Sequence, residues 1–143
     1  MSGIYSLDAC ALSTFFDRDI GFEKVSALLE RACTDEVIVY MSAVNLTEVI
    51  YDQMDKKDES GMSQLWDDIH DLPITLIRDM SDFIVKEAAR LKATYHIALG
   101  DVFGLAVARF LGATFVTSDH SEMEQIEQDE PFSFLWLPAK PKK

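Results

Sequence analysis

Short apolar runs alternate along the chain with longer stretches in which apolar residues recur every three or four positions. Gly3–Leu7 (GIYSL) is apolar and stops at Asp8, which predicts a buried strand. Ala9–Phe16 reads as one or two helical turns. Val25, Leu29 and Ala32 follow Phe22 at helical spacing and predict a helix over Gly21–Cys33. Val37–Met41 (VIVYM) is β-branched and aromatic, hence a second strand. Ser42 suits the N-cap of a helix reaching Met54. Lys56–Gly61 (KKDESG) breaks the pattern. Met62, Leu65, Trp66 and Ile69 then mark a further helix, and Ile74–Ile77 a strand after Pro73. Ser81 or Asp82 caps a helix with Ile84, Ala88, Leu91 and Tyr95 on one face. The helix opening at Gly100-Asp101 is apolar on almost every side, with Arg109 its one later charge, so it must be largely buried. Gly112 ends it. Ala113–Thr117 is a fourth strand, Ser121–Glu127 a short helix and Ser133–Leu137 a fifth strand.

Strands separated by helices form βαβ units. Short strands apolar on both faces imply a parallel sheet covered on both sides, an α/β fold. No repeat or linker divides the chain, so residues 1–143 read as one domain, with 138–143 a mobile basic tail.

Composition adds limits. The longest run without a charge is Val37–Thr47, eleven residues, against roughly 18 for a membrane span. The opening MSGIYSLDAC has no basic region and meets an acid at Asp8, unlike a signal peptide. The expected location is cytoplasmic. Cys10 and Cys33 sit in apolar surroundings without a CxxC partner and read as buried structural thiols. His70, His96 and His120 lack metal-ligand spacing. The net charge of −12 argues against a nucleic-acid binder, because phosphate contacts need Lys and Arg.

The placement of the acids changes that picture. Ligands of an open parallel sheet gather outside the carboxyl ends of its strands. Asp8 stands at the end of the first strand and Asp119 just past the fourth. Asp101 opens the buried helix, and Glu48 lies between Leu46 and Val49 in the helix after the second strand. Each aspartate could simply cap a helix, and Glu48 could be solvated. Yet each abuts an apolar segment, where an unpaired charge is costly. Carboxylates brought together raise one another's pKa, and a hard divalent cation relieves that repulsion. Such a cation activates water against a phosphodiester. No nucleophile–histidine set, GxGxxG or Walker-type loop competes.

In these segments the chain resembles the PIN domain family, and within it the toxin ribonucleases of VapBC type. The matching pieces are IYSLDACAL with Asp8, MSAVNLTEVIYD with Glu48, IALGDVFGLAVARFLGATFVTSDHSEM with Asp101 and Asp119, and the closing FLWL. They run in family order over nearly the whole chain. The resemblance implies a three-layer α/β/α sandwich around a parallel sheet of about five strands. It implies a Mg²⁺- or Mn²⁺-dependent endoribonuclease acting on RNA. Asp8 and Asp101 would be the main metal ligands, Glu48 and Asp119 would complete the acidic pocket, and Thr117 or Ser118 would supply a hydroxyl beside the last acid. It also implies a homodimer and an antitoxin that silences the pocket. Two positions depart from the pattern. Cys10 stands where many members have a hydroxyl residue, and Ala98 where many have serine. Arg18, Lys24, Lys56, Lys57, Lys140, Lys142 and Lys143 are the candidate RNA-binding cations. A non-catalytic PIN-like module that binds a partner is the alternative. A phosphatase or receiver domain with Asp8 as phosphoryl acceptor is weaker, since Cys10 replaces the second acid of a DxD.

Overall fold

Five short segments with apolar residues on both faces pair side by side, all in parallel. The computed structural model describes residues 3–54 and 59–140, with the backbone only at Glu59 and Ser60. The strands are β1 (Ile4–Leu7), β2 (Ile38–Ser42), β3 (Ile74–Ile77), β4 (Thr114–Thr117) and β5 (Phe134–Trp136), in the order β3-β2-β1-β4-β5. The chain builds outward from β1 to β3, then crosses back to place β4 on the other side of β1. The switch point therefore lies between β1 and β4.

The helices are α1 (Ala9–Asp17), α2 (Phe22–Cys33), α3 (Ala43–Met54), α4 (Glu59–Asp71), α5 (Asp82–Tyr95), α6 (Leu99–Leu111) and α7 (His120–Asp129). Alternation along the strands sorts the core into two layers. Leu7, Val39, Met41 and Val116 pack with α1 to α4. Phe115 packs with α5, α6 and α7, joined by Ile4, Ile77, Phe134 and Trp136. The result is the parallel sheet covered on both sides that the patterning predicts, and the α/β/α sandwich that the resemblance implies. Among the described residues, no helix is long and apolar enough to cross a membrane.

Several boundaries differ from the sequence reading. α4 begins at Glu59 and runs through Gly61, inside the stretch expected to break the pattern. Leu65 and Ile69 are buried in the core and hold that helix in place. Residues 55–58 of that stretch lie outside the described residues. Cys33 is exposed rather than buried. Ala32 takes the inward position on α2, and the next residue, turned about 100° around the axis, falls outside. Cys10 is half-buried, and both thiols are free.

Arg109, the one basic residue of α6, has a structural task. It meets Glu87 of α5 at 2.9 Å, and Arg90 meets Glu87 at 2.8 Å and Glu130 at 2.7 Å. The Tyr95 hydroxyl donates to Glu130 at 2.7 Å. Arginine holds both glutamates below the usual carboxylate range. This network fixes α6 against α5 and the end of α7.

α6 starts without a side-chain cap. Its N-cap is Ala98, at φ −59 and ψ 147, a backbone setting in which serine can accept from the first free N–H groups. Ala98→Ser is therefore expected to stabilise the protein by about 1 kcal/mol. The check is a higher urea midpoint with an unchanged slope.

Candidate active site

The switch point places the first acid. Leu7 pairs with Val116, so Asp8 and Thr117 come next along the ladder. The Asp8 N–H donates to the Val116 carbonyl at 3.1 Å, which keeps its backbone in the sheet. Its carboxylate accepts from the Ala11 N–H at 2.8 Å and so caps α1. It also accepts the Thr117 hydroxyl. That hydroxyl in turn accepts the Asp119 N–H at 3.0 Å. A hydroxyl has one proton; with it directed to Asp8, Thr117 ties the first acid to the backbone of the last. It is Thr117, not Ser118, whose hydroxyl makes these contacts.

Asp119 caps α7, accepting from the Glu122 N–H at 3.3 Å and from the Ser121 hydroxyl at 3.1 Å. Asp101 lies in the first turn of α6 without a capping bond, where the helix dipole favours a negative charge. Capping thus accounts for part of what Asp8 and Asp119 do. A carboxylate has lone pairs left over after one capping bond.

Glu48 arrives from α3. Its carboxylate lies against Gly100, where an added Cβ would sit only 1.7 Å from Oε1. Asn45, one turn earlier, donates to the Gly100 carbonyl at 3.0 Å and to Glu48 Oε1 at 3.4 Å. Asn45 is buried, and its Oδ1 has no hydrogen-bond partner. That oxygen faces Gly104, where a Cβ would lie 2.8 Å away. Two glycines four residues apart let α3 approach α6 closely enough to set Glu48 beside Asp101. Asn45 and Gly100 escaped the sequence reading. Their signals are an amide one turn before the acid on the same helix face, and a glycine directly before Asp101.

Asp119 and Glu48 act on the two deeper acids, Asp8 and Asp101. Burial raises the Asp8 carboxyl to about 7; the bonds from Thr117 and Ala11 oppose this, and the charges of Asp119 and Glu48 add to it. Burial also raises Asp101 to about 7, helped by Asp8, Asp119 and Glu48. Glu48 exposes much of its surface, yet its carboxyl is raised by partial burial, against the Asn45 bond. Burial and the charge of Asp8 push the Cys10 thiol up to about 12, so it stays protonated and unreactive.

A cavity of about 490 Å³ opens beside this group, with Cys10, Glu48 and Lys140 on its wall. Two other candidate RNA-binding cations, Arg18 and Lys24, are engaged elsewhere. The Arg18 guanidinium lies over the Phe22 ring at 5.9 Å. Lys24 donates to the Trp136 carbonyl at 3.1 Å. Lys56, Lys57, Lys142 and Lys143 lie outside the described residues.

The PIN domain matches residues 5–127 of this sequence. The chain belongs to the PIN domain family. Similar solved structures are VapBC2 from Rickettsia felis bound to a DNA fragment from its promoter, VapBC-1 from nontypeable Haemophilus influenzae, and FitAcB from Neisseria gonorrhoeae. The first has a TM-score of 0.74 at 16% identity, covering 93% of this chain and 98% of that one. The second has 0.69 at 18%, covering 92% and 96%. The third has 0.64 at 16%, also covering 92% and 96%. At such identity the likeness is one of fold. No curated protein matches the chain. PIN domains are generally nucleases, and those nucleases generally use divalent metals.

The donor set of this PIN domain suits such an ion chemically. Every candidate ligand is a hard carboxylate oxygen, as Mg²⁺ and Mn²⁺ prefer. Two of the carboxyls are held near neutrality by burial and by like charge, a cost that a cation offsets. The spacing is less complete. Among the described residues, no three histidine, cysteine or acidic side chains stand close enough to grip one ion as they are.

Proposed function

We propose that this PIN domain is a divalent-metal-dependent endoribonuclease, the toxin of a toxin–antitoxin pair. The observation that carries this reading is that Asp8 and Asp101, from separate segments near the switch point of a parallel sheet, are both raised by burial and by the charges of Asp119 and Glu48. Asp8 and Asp101 would be the main ligands of Mg²⁺ or Mn²⁺, with Glu48 and Asp119 completing the pocket directly or through water. The ion, when bound, activates water and stabilises the leaving oxygen of a phosphodiester.

The chain's own residues set the stage for that chemistry. Thr117 fixes one Asp8 oxygen and the Ala11 N–H fixes the other, so the deepest ligand has no freedom to turn. Asn45 and Gly100 hold Glu48 beside Asp101. Asp8 is 1% exposed, and the sheet beneath excludes water from one side of the pocket. Relatives of this fold are toxin–antitoxin complexes, which supports an antitoxin as partner; a homodimer and a cytoplasmic location belong to the same reading.

The test is direct. Purified protein given mixed-sequence single-stranded RNA is expected to cut it with Mg²⁺ or Mn²⁺, to stop on chelation, and to resume when metal returns. The open spacing of the acids and the net charge of −12 favour a second reading, a partner-binding module that no longer cuts. RNA left intact under both metals, with antitoxin binding retained, would decide for it.

A further inference from the structure

The cavity beside the acids carries features that metal ligation does not use. Its wall includes Cys10, Ser13, Glu48, Tyr51, Asp52 and Lys140. At about 490 Å³ it falls in the usual size range of small-molecule sites, roughly 300–1,000 Å³. Lys140 is the one cation among these residues. It arrives by a strap of backbone beyond β5: the Leu137 N–H donates to the Thr117 carbonyl at 2.9 Å, and Pro138 lies against Gly21. Its ammonium is 3.7 Å from Asp19, with side chains 33% and 43% exposed. A long, solvated pair of this kind is weak and yields to a better anion. Lys140 and the acid Glu48 line the same cavity. Tyr51, on the same wall, is 68% exposed, and nothing in the core explains an aromatic ring there.

A weakly held cation and an exposed ring in one concavity, next to carboxylates, match the parts of a nucleotide. Resting on the nuclease reading above, we propose that this cavity is the subsite for one nucleotide of single-stranded RNA flanking the scissile bond. Lys140 takes the phosphodiester anion and Tyr51 stacks on the base. Stacking on an exposed ring requires an unpaired base, so the substrate class is single-stranded. The wall also carries Glu48 and Asp52, so Lys140 is the one group on it that can draw a phosphate.

Steady-state cleavage of single-stranded RNA with Mn²⁺ tests the subsite. Lys140→Gln is expected to raise KM about tenfold with kcat little changed. It should also flatten the slope of log kcat/KM against log salt by about 0.7, one phosphate contact on a single strand. Lys140→Arg should restore both. Tyr51→Ala should raise KM about tenfold, and Tyr51→Phe should not. Both side chains are at the surface, so the thermal midpoints should stay put. Unchanged KM and salt slope in Lys140→Gln and Tyr51→Ala would overturn the subsite and leave the nuclease reading standing. If the wild-type chain cuts no RNA, the nuclease reading fails separately, and binding of a labelled single-stranded RNA decides the subsite. Weaker binding by the two variants upholds it, and equal binding overturns it.

Discussion

Asp8→Asn is expected to lower RNA cleavage by about a thousandfold or more while making the metal-free protein more stable at neutral pH. Loss of a residue that only supports a ligand typically costs 10- to 100-fold in metal affinity or activity, so loss of Asp8, a main ligand in the proposed function, should cost more. The amide oxygen can still accept from Ala11, so the cap on α1 survives. The stability effect follows from the raised carboxyl. Asp8 ionises near 7 in the folded chain against an ordinary 3.8. Between those values the folded state binds the proton and the unfolded state has released it. Stability therefore falls as pH rises from about 4 to about 7, by at most about 4 kcal/mol for this group. Asp101 adds a slope of the same sign. The wild-type urea midpoint in chelator should be lower at pH 8 than at pH 5. Asp8→Asn should flatten that difference, and Mn²⁺ should raise the wild-type midpoint at pH 8 far more than that of the variant. Cleavage surviving in both Asp8→Asn and Asp101→Asn would end the catalytic reading.

Two glycines of α6 should respond in opposite ways to the same change. At Gly100 the new methyl meets the Glu48 carboxylate, the far end of a flexible side chain that can swing away. Little stability is lost, and the helix gains up to about 1 kcal/mol because alanine is the better helix former. The acid is nevertheless displaced from Asp101. Gly100→Ala should therefore leave a folded protein with about 10- to 100-fold less activity. At Gly104 the methyl meets Asn45 Oδ1 at 2.8 Å and the Phe115 ring at 2.9 Å. Phe115 is wholly buried and cannot yield cheaply. Gly104→Ala should cost about 1–3 kcal/mol of stability through overpacking, with activity per folded molecule less affected. Urea melts beside cleavage assays read both. A fully active Gly100→Ala would show that the place of Glu48 is immaterial.

The fold was legible because its strands are short, apolar on both faces and separated by amphipathic stretches, a pattern that a covered parallel sheet satisfies. The start of α4 was not. Lys56–Gly61 carries no apolar periodicity, and the helix extends to Glu59 because Leu65 and Ile69 anchor it in the core. The acids could be picked out singly, since each interrupts or ends an apolar run. Their supports could not. The need for glycine at position 100 arises from a side chain on another helix, and sequence spacing does not report a crossing between α3 and α6. Lys140 was readable as a charge but not as part of a cavity wall, because that depends on how the segment after β5 passes Gly21. Cys33 misled because its apolar neighbours do not say which way a helix end faces.

The strand order has a consequence for the chain as it is being made. β1 is central, yet its partner β4 follows only after β2, β3 and six helices, and the bond from Thr117 to Asp8 spans 109 residues. Until β4 leaves the ribosome, β1 has an open edge, and Asp8 lacks both its Thr117 clamp and Asp119. A partly synthesised chain therefore holds no complete acid pocket. Chemistry of the kind proposed here would begin only when translation is nearly finished, a delay built into the strand order.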